Sequence, residues 1–75
     1  MARNERLEAI LQAQFELEYA EPRDLQACRD RLHALLDRSL EGKHLTRREL
    51  LSVLRDRYKE YKRAQLVAEA RRRSP

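Results

Sequence analysis

The sequence predicts an all-α fold: a three-helix domain in which the second and third helices form an antiparallel hairpin, with a tendency to self-associate. Three observations predict it. Leucines recur at helical spacing along most of the chain. The composition is rich in Leu, Ala, Glu and Arg, all good helix formers, whereas two valines and one isoleucine are too few for a sheet. The only glycine, Gly42, is followed closely by a strong helix-start signal, which marks one tight connection between helices.

The first helix should begin near Arg3 or Glu5 and end near Ala20. Asn4 suits the N-cap, and Glu5 and Glu8 complement the helix dipole in the first turn. Leu7, Ile10, Leu11 and Leu17 make a stripe, widened by Phe15 and Tyr19 on one flank and Ala13 on the other. That arc is wider than one neighbour requires, so the helix should pack between two, one of which could belong to a second subunit.

The second helix should run from Pro22 to Leu40. Proline is tolerated in a first turn because its missing N–H has no intrahelical partner there. Leu25, Cys28, Leu32, Leu35, Leu36 and Leu40 share one side and read as a seam for a partner helix. Gly42 fits the left-handed position after a helix end.

The third helix starts with a capping box, Thr46-Arg47-Arg48-Glu49, spanned by a Leu45–Leu50 staple. It should run continuously past Ala64 toward Ala70. Residues 1–70 then form a single helical domain and residues 71–75 a flexible basic tail. The short connection at Gly42 is the kind that joins antiparallel neighbours.

A chain of 75 residues makes one domain at most. A core this small rarely supplies more than about 3–5 kcal/mol of net stability. Cys28 is the only cysteine, so no intrachain disulfide can compensate. Self-association, giving a homodimer, or docking onto a larger protein is the expected remedy. No apolar run reaches the length of a membrane span, no secretory h-region is visible, and the lone cysteine agrees with a cytoplasmic location.

Charge is divided sharply. Residues 1–42 hold six arginines against nine acids, net −3, and residues 43–75 hold eleven basic residues against four acids, net +7. Helical spacing gathers Arg48, Arg55, Lys59, Lys62 and Arg63 into one ridge on the third helix, extended by Arg71, Arg72 and Arg73 in the tail. Such a ridge is either a solvated face with local ion pairs or a docking surface for something acidic. Leu50, Val53, Leu54, Tyr58, Tyr61, Ala64 and Ala68 form the side expected to be buried. Arg57 falls among them. A buried cation needs a partner, and Glu18 on the first helix is the candidate; the alternative is that Arg57 snorkels along Tyr61 to the rim.

No catalytic constellation appears. His33 and Asp37 could face one another on the second helix, but Cys28 is out of register with His33, and His44 lies in the loop. There is no glycine-rich phosphate loop, CxxC pair, HExxH or GxSxG. No metal or cofactor is implied. Tyr19, Tyr58 and Tyr61 could stack on bases, but Tyr58 and Tyr61 suit a helical interface better.

The run Leu45-Thr46-Arg47-Arg48-Glu49-Leu50-Leu51 resembles the opening of helices in bacterial winged-helix regulators. That resemblance implies base contacts by Arg47, Arg48 and Ser52. It is carried by the staple and capping box alone and assigns no family.

The sequence therefore reads as a small non-catalytic interaction module, an adaptor or regulatory subunit. Its partner would be a protein or a second copy of itself. The docking seam would be Leu7, Leu11 and Phe15 with Leu25, Cys28, Leu32, Leu35 and Leu36. The alternative reading is phosphate-directed nucleic-acid binding by the basic ridge and tail.

Overall fold

The computed structural model describes residues 4–74. These residues form four α-helices and no strand: α1 Glu5–Glu18, α2 Leu25–Leu40, α3 Arg47–Val53 and α4 Arg55–Arg73. A single 3₁₀ turn, Pro22–Asp24, leads into α2 where the sequence suggested that the helix itself began.

The local signals act as expected. Asn4 caps α1 by accepting the Leu7 N–H at 3.0 Å. Gly42 adopts a left-handed φ of 73°, the only positive φ among the described residues. Thr46 Oγ1 accepts the Glu49 N–H at 3.1 Å, and Glu49 Oε1 accepts the Thr46 N–H at 3.2 Å, completing the capping box.

The continuous third helix does not form. The chain bends at Leu54, whose φ of −86° and ψ of 0° lie outside ideal helix. The bend keeps its flanking bonds: Leu54 N–H reaches the Leu50 carbonyl at 3.1 Å, and Tyr58 N–H reaches the Leu54 carbonyl at 2.8 Å. Packing supplies the cause. Leu54 buries itself in the core while Leu50 and Leu51 pack beside it on α3. Tyr61 meets Phe15 of α1, with ring centroids 6.2 Å apart. Val53, expected on the buried side, is 71% exposed instead.

Pairing of the helices also differs from expectation. The extended pairing is between α1 and α2, while α3 packs on α2 and α4 packs on α1. α1 and α2 run antiparallel: Arg31 meets Glu16 near the turn, and Ser39 and Lys43 lie beside Asn4 and Leu7 at the other end. The four-helix chain thus has no long α2–α4 hairpin.

The core is Ile10, Leu11, Ala13, Leu32, Leu36 and Leu54, with Leu7, Leu17, Leu35, Leu50 and Leu51 packed against it. α1 is flanked by α2 and α4, two neighbours from the same chain, which accounts for its wide apolar arc. The molecule is elongated, 49 × 37 × 19 Å, with a radius of gyration of 13.7 Å. A compact chain of this length would have about 11 Å.

Candidate functional site

The seam proposed for docking is largely the domain's own core. Leu11, Leu32 and Leu36 are buried, and Leu7 and Leu35 pack against them. A stripe that faces a neighbouring helix of its own chain cannot also receive a partner. Phe15 and Cys28 are partly buried without belonging to that core, and Leu25 is exposed. Phe15 and Cys28 line a groove of about 530 Å³ between the end of α1 and the start of α2, with Tyr19, Ala20 and Ala27. Leu25, 38% exposed, is the first residue of α2 beside it. Glu16, Glu21 and Asp24 stand at the groove's margin against one cation, Arg31.

Within the chain, Glu18 and Arg57 do not pair. Glu18 Oε2 instead meets Lys62 Nζ at 2.6 Å. The reason is which flank of α4 each cation occupies. Tyr58 and Lys62, four residues apart on one flank, lie beside Gln14, Leu17 and Tyr19 at the end of α1. Arg57 and Tyr61, on the neighbouring flank, lie beside Leu7 and Leu11 nearer its start. Arg57 is exposed and lies near Leu7, Leu11, Glu60 and Tyr61. The hydrogen bond and charge of Lys62 hold the Glu18 carboxyl below its ordinary range, and Glu18 in return raises the Lys62 ammonium.

That pair removes Lys62 from the free basic ridge. The bend at Leu54 further places Arg48 on α3, apart from the remaining cations on α4. Arg48, Arg55, Lys59 and Arg63 are exposed, and none makes an ion pair among the described residues. Arg71, Arg72 and Arg73, expected as a flexible tail, form the last turn of α4, which Ser74 closes with a bond from its N–H to the Ala70 carbonyl at 3.1 Å.

α4 carries a surface that sequence reading overlooked. Leu66 and Val67 are 41% and 44% exposed. With Lys59, Lys62, Arg63 and Ala70 they line an open hollow of about 440 Å³ on the outer side of the helix. Arg55, Lys59, Arg63, Leu66, Ala70 and Arg73 recur every three or four residues and so share one face. The signal was present in that spacing. The cations of that face were legible as a ridge, whereas Leu66 and Ala70 on the same face were not assigned to it.

Two polar atoms in the α1–α4 seam are buried without hydrogen-bond partners, Gln14 Oε1 and the Tyr58 hydroxyl. The Tyr58 hydroxyl lies near the Glu18 carboxylate but outside hydrogen-bonding geometry. Burial, and then the charge of Glu18, push its pKa up to about 12. On the far side of the domain, Arg47 grips Asp37 through two parallel bonds, Nε to Oδ1 at 2.8 Å and NH2 to Oδ2 at 2.7 Å. This pair ties α2 to α3.

Among the described residues no cluster of His, Cys, Asp or Glu is arranged to hold a metal ion, and no helix is long and apolar enough to cross a membrane. In comparisons with known proteins, no family model, curated protein or solved structure matches the chain at a significant level.

Proposed function

We propose that this chain is a small non-catalytic interaction module that docks a protein partner through the outer face of α4. The reading rests on one observation: a helix that passes the end of its own domain with Leu66 and Val67 exposed between cations. Exposed apolar side chains rimmed by charge mark interaction surfaces when they are contiguous, and the arginines select an acidic rim on the partner. The adaptor role inferred from the leucine seams is retained, but the docking surface moves from α1 and α2 to α4.

The test is a capture experiment with the full chain as bait, comparing wild type with Leu66→Asp. Leu66 lies outside the core, so the substitution should leave the circular dichroism spectrum unchanged while abolishing retention of the partner. Equal retention by both baits would refute the docking face.

A second reading, phosphate-directed nucleic-acid binding, is favoured by the unpaired exposed cations Arg48, Arg55, Lys59 and Arg63. Its signature is salt dependence. If about six phosphates are engaged, affinity for a labelled duplex should fall roughly a thousandfold between 50 and 200 mM salt. Retention that resists nuclease and this change in salt supports the protein-docking reading.

A further inference from the structure

We propose that the acidic groove between α1 and α2 receives the C-terminal half of α4 from a second copy of this chain, in a reciprocal pair. The inference rests on the docking face of α4 proposed above and names its occupant.

Four observations converge on it. First, the arm projects. Lys62 meets Glu18 and Tyr19 at the end of α1, and α4 continues through residues 63–73. Most helical stability in proteins comes from packing, so the turns beyond Lys62 gain from a covering partner. Second, both surfaces are open and partly apolar: Phe15, Ala27 and Cys28 line the groove, and Leu66, Val67 and Ala70 line the shallow hollow on the arm.

Third, the charges are opposite. The groove margin carries Glu16, Glu21 and Asp24 against Arg31 and the neighbouring Arg23, an excess of acid, and the arm carries Lys59, Arg63 and Arg73. Glu16 is engaged by Arg31 at 2.9 Å. Glu21 and Asp24 meet only Arg23, whose side chain is 81% exposed, so both remain able to exchange partners. Fourth, each chain carries one groove and one arm. Two copies related by a two-fold axis fill both grooves and close the assembly, leaving neither apolar surface in water.

The native thiol supplies the readout. Cys28 lines the groove and is half-buried. In the full chain, Leu66→Cys should form an intermolecular disulfide with Cys28 under mild oxidation, and Cys28→Ser should remove it. Arg48→Cys, placed on α3 away from the arm, should not cross-link above the wild-type level. Light scattering of the untreated chain should give twice the 9.0 kDa of one copy.

Charge exchange tests the pairing without touching the core. Glu21→Arg with Asp24→Arg should weaken self-association about tenfold or more, as should Lys59→Glu with Arg63→Glu. Mixing the two variants should restore the dimer, because one interface is then native and the other is reversed on both sides.

A mass of 9.0 kDa at millimolar concentration overturns the proposal. So does a dimer indifferent to both reversals. If the chain is monomeric yet Leu66→Asp still abolishes capture of a different protein, only the reciprocal pair fails. If neither dimerisation nor capture depends on Leu66, the docking face itself fails with it.

Discussion

Lys62 Nζ stands 2.6 Å from Glu18 Oε2 and 5.7 Å from the centre of the Tyr19 ring. One side chain thus fastens α4 to the end of α1 by charge and by contact with an aromatic face. It sits where the helices part company, so it sets where the supported half of α4 ends and the projecting half begins.

The pair should make stability depend on pH in a bounded window. Glu18 is lowered from 4.5 chiefly by the Lys62 hydrogen bond, so its contribution is present above that value and lost as pH falls through the folded pKa. Lys62 is raised from 10.5 by the same bond, so its contribution is present below 10.5 and lost as pH rises through the folded pKa. Urea denaturation across pH should show Glu18→Gln lowering the midpoint near neutrality and converging with wild type in acid. A constant difference at every pH would contradict this.

Tyr58 leads to a separate expectation at high pH. Its hydroxyl is buried without a partner, so Tyr58→Phe should be neutral or slightly stabilising near pH 7. Because the folded pKa is about 12 against an ordinary 10.0, stability is retained below pH 10 and lost as pH rises toward 12. The phenylalanine variant should lose less over that interval. Absorbance titration of the tyrosines would show one phenol ionising well after the others.

Asp37 and Arg47 close the Gly42 connection with a bidentate pair. Arg47→Lys keeps the charge but cannot make two parallel bonds, so it should behave more like Arg47→Ala than like wild type. Hydrogen exchange across residues 41–47 is the measurement. Protection should drop in both variants, and unchanged protection in the lysine variant would show that charge alone suffices.

Leu36 is fully buried at the meeting of α1, α2 and Leu54. Leu36→Ala should cost about 2–5 kcal/mol. That is comparable to the whole net stability of about 3–5 kcal/mol expected for a core of this size. The variant should be largely unfolded by circular dichroism at 25 °C unless self-association rescues it. Thr46→Ala is the milder counterpart and should cost about 1 kcal/mol by removing a helix cap.

Helix ends were legible in the residues themselves. Asn4, Gly42, Thr46 and Glu49 act through bonds that span three or four positions, or through a single backbone angle, and local chemistry is enough to specify them. The helical class follows from leucine spacing for the same reason. Folding in three dimensions decided the rest. No proline or glycine announces the bend at Leu54, and Val53 and Leu54 are chemically alike, yet packing sends one into the core and leaves the other in water. Which acid meets which base was likewise settled by how α4 lies across α1: the flank bearing Tyr58 and Lys62, and not the one bearing Arg57, faces Glu18. The leucine stripes declared that something would cover them, but only the assembled chain supplied the covering helices and left Leu66 and Val67 among the apolar side chains facing outward.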